Sequence, residues 1–383
     1  MKNITLDGLT LQYSDRLPED QWPYTWLMRQ WENVDGTLYM TGVDSCTVKN
    51  CRILNSGAYG IVLNHYAQNN KILHNEIGWT GSGGIFLEGY GPGKLDVNKN
   101  NIVSYNYIHR HGLANYWHSP SIQIYQSGHN QITYNLMKDS AYSGISMVGM
   151  NPIYMNQIKM MEPGHFDGLW QWWNYFCPRL QDFPENIQKN LKKGKYRFNR
   201  ETMKPYMHSR ENNISCNLIV EPHSLLNEGG AIYAWCPGKN NVWKKNIIYV
   251  SHAMPGSSVL AMDDLAEYFT VTDNVFWVNG NILNGVGARP TERGIVAKNN
   301  YRVMFKPEFK ARQRGKLGKW WTNDKGRKPL DKLFDEILTS VVDSKWKNWP
   351  GNPSVGIPGL DKVTKAVKGK REELPEGSHV TIE

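Results

Sequence analysis

The sequence predicts an all-β protein wound as a parallel β-solenoid, and three observations lead there. A short phrase recurs along the chain: an apolar residue, two variable residues, Asn, one variable residue, another apolar residue. Between its copies falls a second phrase, a small residue followed by a short alternating strand. The repeats are 25 to 31 residues long and are separated by Asn and Gly rather than by helical patterns. A coil of that size cannot bury its apolar face alone, so coils stack and like residues align about 4.8 Å apart.

The first phrase appears as VKNCRI, ILHNEI, IVSYNYI, ITYNLM, ISCNLI, VTDNVF and VAKNNY, with LDGL as an Asp-bearing version near the start. Its asparagines are Asn50, Asn75, Asn106, Asn135, Asn217, Asn274 and Asn299, and Asn246 in VWKKNII joins them with a one-residue shift. Including Asn246, the successive spacings are 25, 31, 29, 82, 29, 28 and 25. Aligned asparagines are expected to form a hydrogen-bonded ladder along a turn. The 82-residue interval marks an insertion at about 151–208, which contains HFDGLWQWWNYF, and an earlier excursion at 15–35 carries Trp22, Trp26 and Trp31. The solenoid is expected over 1–300 and a partly helical tail over 301–383, where PLDKLFDEILTSVV has amphipathic helical spacing. Such a tail is expected to pack along the solenoid or cap its open end.

The second phrase reads GIVLN, GIFLE, SIQIY, GISMV, AIYAW and VLAMD. Aligned on its first inward residue, it stacks Ile61, Ile85, Ile122, Ile145, Ile232 and Leu260. The period-two rule then turns two rows outward: Val62, Phe86, Gln123, Ser146, Tyr233 and Ala261, and Asn64, Glu88, Tyr125, Val148, Trp235 and Asp263. A solvent-facing strip holding Glu88, Gln123, Tyr125, Tyr233, Trp235 and Asp263 has the chemistry of a carbohydrate cleft, because aromatic faces stack on sugars and carboxylates bind or protonate glycosidic oxygens. The same strip also reads as a mixed solvated face; the Trp-rich insertion, a wall or lid beside it, favours the cleft.

Carboxylates flank two of these strands: Glu228 precedes GGAIYAW, and Asp263 and Asp264 end VLAMDD. Glu88 and Asp263 lie four coils apart, about 19 Å, too far to share one bond. Glu228 and Asp263 are on neighbouring coils but enter from opposite strand ends. Asp264 beside Asp263 would raise the pKa of one of the two, as a general acid requires; the pair also reads as the start of a turn. His118, His223 and His252 sit in turns leading toward second-phrase strands and are candidate substrate contacts.

The formal net charge of +9 and pI near 9.1 favour an anionic partner. None of the usual nucleic-acid recognition motifs is present, and no apolar run reaches the length of a membrane span. Arg289, Arg293, Lys244 and Lys245 are candidate neutralisers of substrate charge. The five cysteines have no metal-finger spacing and read as small buried residues. DVNKN, Asp96 to Asn100, alternates oxygen ligands but lacks the Gly and distal Glu of a calcium loop, so it reads as a turn, with no metal or cofactor expected. The first residues lack the features of a signal peptide, and a repeat already running at Asn3 suggests a longer parent chain. Had the missing part carried a signal peptide, the compartment would be extracellular or periplasmic.

The order of GGIFLEGYG, NNIVSYNYIH, NEGGAIYAW and LAMDDLAEYFTVTDNVF resembles the right-handed parallel β-helix glycosidases, in particular glycoside hydrolase family 141, over about Asn3 to Asn300. The resemblance implies a catalytic pair of acidic residues at Glu228 and at Asp263 or Asp264, acting on fucosides or xylosides of complex polysaccharides. Glu stands at 228 where that family usually has Asp, and AMDD replaces LDDG. The leading expectation is a hydrolase of an acidic or sulfated polysaccharide containing fucose, galactose or xylose. A polysaccharide lyase acting on uronates is the alternative on the same fold, and a non-catalytic carbohydrate-binding solenoid is a third.

Overall fold

The structure is a computed structural model that describes residues 1–16, 35–91, 93, 95–116, 118–149, 156, 183–226, 229–250, 258–263, 266–278, 283–285, 294–298 and 300–303. The coils feed three parallel sheets, and among the described residues every sheet has nine strands, the third drawing two of its nine, Ile85–Glu88 and Asn98–Lys99, from one coil. The chain winds as a right-handed parallel β-helix. The first sheet runs from Thr5–Asp7 to Val296–Lys298, the second from Thr10–Gln12 to Tyr301–Val303, and the third from Gly36–Asp44 to Leu283–Gly285. Among the described residues no helix is long and apolar enough to cross a membrane.

Two asparagine ladders hold the coils in register. Asn75, Asn106, Asn135, Asn217, Asn246, Asn274 and Asn300 form one, each donating its backbone N–H and side-chain Nδ2 to the Oδ1 of the next at 2.8–3.1 Å. Asn70, Asn101, Asn130, Asn212 and Asn241 form the second, five residues before the first-ladder asparagines Asn75 to Asn246. Three sequence readings change. Asn246 is in register rather than shifted; the ladder ends on Asn300 rather than Asn299; and in VKNCRI the ladder position is Cys51, whose N–H donates to Asn75 Oδ1 at 2.9 Å, while Asn50 turns out toward Asp7. Asn299 itself lies outside the described residues.

The physical reason for the one-residue offset is the corner. The residue before each ladder position adopts a left-handed backbone, as at Asn50 (φ 53°), His74 (φ 55°), Lys245 (φ 54°) and Asp273 (φ 58°). Such a conformation costs roughly 1 kcal/mol in a non-Gly residue, which the ladder hydrogen bonds offset. Asn tolerates either place, so the sequence phrase alone does not say which asparagine is the corner and which the rung. His74, Tyr105 and Tyr134 occupy the corner in successive coils and stack at 4.9 and 5.0 Å between ring centres.

The insertion leaves the ladder intact. Asn135 bonds directly to Asn217 across 82 residues of sequence, so the coil before the insertion stacks on the coil after it. Its described part contains a helix at Glu185–Lys192 and another at Arg200–Met203, the latter started by a capping box between Asn199 and Thr202. Phe183, Phe198 and Tyr206 pack their rings together at 5.0–5.9 Å. The Trp-rich stretch of the insertion and the Trp22–Trp31 excursion lie outside the described residues. The interior is filled as the alignment predicts: Ile61, Ile85, Ile122, Ile145, Ile232 and Leu260 are in register and buried.

Candidate functional site

The third sheet presents Phe86, Gln123, Ser146 and Tyr233 in one outward row and Asn64, Glu88, Tyr125, Val148 and Trp235 in the next. The strand Ser258–Met262 ends one residue before Asp263, whose N–H donates to the Ala234 carbonyl at 2.8 Å and whose carbonyl accepts from Ala266 at 3.0 Å. Asp263 therefore opens a turn, with its side chain at the edge of the outward face. Tyr233 Oη donates to Asp263 Oδ2 at 2.9 Å across the two neighbouring coils.

Behind Tyr233 stands Tyr142, fully buried, with ring centres 6.1 Å apart. His118 and His223 approach Tyr142 from the coils on either side, at 5.1 and 5.6 Å between ring centres. Burial drives the His118 imidazole down to about 3, so it is neutral at physiological pH. His223 Nδ1 lies 3.1 Å from the Leu226 carbonyl, which fixes the proton on Nδ1 and the basic lone pair on Nε2. Tyr142 was not among the sequence candidates. It occupies, in its coil, the turn that His118 occupies in the coil before it, and comparing the turns by position rather than by residue type would have found it.

Gly229 lies directly against Tyr142. Its φ is +89°, and a Cβ there would come within 2.7 Å of the Tyr142 hydroxyl. Gly229→Ala is expected to destabilise the fold by about 1–2 kcal/mol through backbone strain alone and to displace the phenol. Gly8→Ala, with φ +70° and nothing within 4 Å, is the control that carries only the strain. Thermal unfolding of both variants separates the two effects: Gly229→Ala should lose more stability than Gly8→Ala, the difference being the cost of displacing the phenol.

The strip differs from the solvent-facing row that its sequence suggests. Asn64, Glu88, Gln123, Tyr125, Ser146 and Val148 are all buried, and Tyr233 is nearly so. Two features cover them. Tyr59 lays its ring on Phe86 at 5.2 Å within an apolar cluster that includes Val62, Tyr125 and Val148. The insertion also stands beside the strand ends: Gln126 Nε2 donates to the Tyr206 carbonyl at 2.7 Å, and a Cβ at Gly149 would lie 2.7 Å from Met207.

Glu88 is the extreme case. Asn64 Nδ2 donates to its Oε2, while its Oε1 has no partner; Gln123 Nε2, diagonally across the face, is also unpartnered. Burial raises the Glu88 carboxyl to about 8 from an ordinary 4.5, opposed only by the Asn64 hydrogen bond. The folded protein therefore holds a proton there that the unfolded chain releases. This contribution to stability is complete below pH 4.5 and is lost as pH rises toward 8, at roughly 1.4 kcal/mol per pH unit. Glu88→Gln should remove that slope, so urea unfolding at pH 5 and pH 8 is expected to show the variant gaining stability over wild type only at the higher pH.

The remaining sequence candidates separate. Glu228, Asp264, His252, Arg289 and Arg293 lie outside the described residues. Lys244 belongs to the strand Val242–Lys244 of the first sheet and Lys245 to the corner after it, so neither faces the third sheet, a correction imposed by the turn between sheets. Asp96 of DVNKN pairs with Arg210 at 2.9 Å, and Asn98 donates to the Leu63 and Glu88 carbonyls, so both serve the fold. Basic residues absent from the candidates do stand at the Asp263 end: Arg200, Lys204 and Lys239 line a cavity of about 30 Å³ with Tyr268, Glu267 and Pro237. Arg200 pairs with Glu267, and Lys204 lies 5.0 Å from the Tyr268 ring centre.

A family model described as right handed beta helix region matches residues 36–160. No curated protein matches the sequence. Among solved structures, one called glycoside hydrolase is similar with a TM-score of 0.46 and 15% identity, over 69% of this chain and 38% of its own. The chain thus spans well under half of that hydrolase's length. An alginate lyase from Paenibacillus sp. str. FPU-7 gives 0.42 and 12%, over 70% of this chain and 72% of its own. The tailspike protein of E. coli bacteriophage HK620, in complex with a pentasaccharide, gives 0.41 and 8%, over 79% of this chain and 43% of its own.

Proposed function

We propose that the protein is a glycoside hydrolase that holds an acidic or sulfated polysaccharide along the outer face of the third sheet and cuts it at the Asp263 end. The observation that carries this reading is the Tyr233–Asp263 hydrogen bond at 2.9 Å, set beside the Tyr142 cluster. A phenol that donates to a carboxylate fixes its orientation. A coil rise of about 4.8 Å offers a repeating polymer a repeating set of contacts. Arg200, Lys204 and Lys239, near the turn that follows Asp263, suit anionic substituents. Trp235, half-buried at the end of its strand, completes this binding face.

In this reading one carboxyl protonates the leaving oxygen and a second activates water. Asp263 pairs more readily with Asp264 than with Glu228. The strand Gly230–Trp235 separates Glu228 from the position opposite Asp263, and five residues of strand span about 16 Å, beyond the roughly 6.5–9.5 Å of an inverting pair. Assignment to glycoside hydrolase family 141, with fucose or xylose as the sugar, rests on motif order around Glu88, Glu228 and Asp263.

A lyase is the second reading, favoured by Tyr142 standing between the neutral His118 and His223. There a phenol or imidazole abstracts the proton beside a uronate carboxylate. One screen tests both: polysaccharides containing fucose, galactose, xylose or uronate, read for new reducing ends and for double-bond absorbance. Reducing ends without absorbance, abolished by Asp263→Asn, support the hydrolase. Absorbance abolished by Tyr142→Phe replaces it with the lyase, and binding without cleavage in the wild type overturns both.

A further inference from the structure

The outer face of the second sheet changes character along the stack. At one register position it carries Arg52, Glu76 and Tyr107 in the early coils and then Leu136, Leu218, Ile247 and Val275. Those four aliphatic side chains are fully buried, as are Val220 and Tyr249 two residues further on. They are not part of the interior. Met137, Ile219, Ile248 and Phe276, the alternate residues, fill the core, so the four point outward by the period-two rule. An outward apolar stripe withdrawn from water requires a cover.

We propose that the segment Pro329–Val342 of this same chain is that cover, lying along the stripe as a helix. The last strand, Tyr301–Val303, belongs to this sheet and pairs with Val275–Val278, so the chain leaves the solenoid at the edge of the stripe. Eighty residues, Met304 to Glu383, follow. Within them Leu330, Leu333, Phe334, Ile337, Leu338 and Val341 recur at i, i+3, i+4, i+7, i+8 and i+11, one face of a helix. Asp331, Lys332, Asp335 and Glu336 fall on the opposite face. Lengths agree as well: a helix from Pro329 to Val342 extends about 21 Å, and the stack from Leu136 to Val275 rises about 14 Å. This inference is independent of the polysaccharide reading.

The test uses the full chain with a protease site inserted after Lys306. After cutting under native conditions, the tail fragment is expected to co-elute with the solenoid on gel filtration. Ile247→Asp should release it, and so should the double tail variant Leu333→Asp with Ile337→Asp, which leaves the solenoid untouched. Hydrogen exchange on the uncut chain should show slow amides over 329–342 that become fast in the double tail variant. A wild-type tail that elutes alone, fast exchange over 329–342, or a dimer that persists without the tail and is broken by Ile247→Asp would each overturn the proposal.

Discussion

Asp263→Asn is expected to lower kcat by about 10²–10⁴-fold, the range that one general acid or base supplies, with unfolding little changed. The carboxylate sits at a strand end in a turn and is only half-buried, and Asn keeps its shape and still accepts the Tyr233 hydroxyl. The substitution removes the charge and the titrating proton, and little else. Tyr233→Phe removes only the donor; a hydrogen bond to a charged group contributes about 1.5–3 kcal/mol, so a loss of roughly 10–10²-fold is expected. Steady-state reducing-end assays on the cleaved polysaccharide, with thermal unfolding alongside, measure both. Equal losses in the two variants would show that the hydrogen bond, not proton transfer, carries the effect. An unchanged kcat in Asp263→Asn would remove Asp263 from the chemistry.

Asn135→Ala is expected to have the largest effect on stability. The side chain donates to the Val103 carbonyl at 2.9 Å and to Asn217 Oδ1 at 3.0 Å, and its Oδ1 accepts from the Asn106 N–H and Nδ2, both at 3.0 Å. All of these groups are buried, so removing the amide leaves a backbone donor and a carbonyl without partners in the interior. At about 1 kcal/mol for each of the four hydrogen bonds, with a further 1–3 for each of the two orphaned buried groups, the loss is roughly 6–10 kcal/mol. It falls where the insertion departs and the stack must bridge 82 residues of sequence. Urea unfolding checks the magnitude. Asn213→Ala, which removes an exposed amide on the first sheet bonded to Gln131, should cost less than about 0.5 kcal/mol.

The solenoid was legible because its signals are local and repeated. Ile61, Ile85, Ile122, Ile145, Ile232 and Leu260 announce one inward position in six coils, and a repeated error in alignment would put every one of them into water. The second asparagine ladder was present too, five residues before the first in five of its seven coils, yet it was missed because the phrase was anchored on one asparagine per coil. Asn50 was read as the rung that Cys51 takes and Asn299 as the rung that Asn300 takes, because asparagine suits both rung and corner and only the backbone turn separates them.

The candidate site was legible by row and not by depth. Periodicity put Glu88, Gln123, Tyr125, Tyr233, Trp235 and Asp263 on one face; the register keeps the first five there, and Asp263 falls in the turn after its strand. It carried no sign that Glu88 and Tyr125 would be buried, because the chain that covers them comes from elsewhere: Tyr59 from the preceding coil, and Tyr206 and Met207 from the insertion. The Arg200–Lys204–Lys239 group was invisible for the same reason, whereas Tyr142 was passed over because turns were compared by residue type rather than by position.

By itself the sequence determined the winding, its period, the inward row of each strand and the point at which a long segment is extruded from the stack. These depend on which residues avoid water at a fixed spacing, which a string of letters records. Only the tertiary structure decided that Tyr233 reaches Asp263, that Tyr142 stands between two histidines, that the Glu88 carboxyl is held at about 8, and that Lys244 faces a different sheet. Those facts depend on distances between residues on different coils and on the insertion that walls them, and desolvation acts through space rather than along the chain.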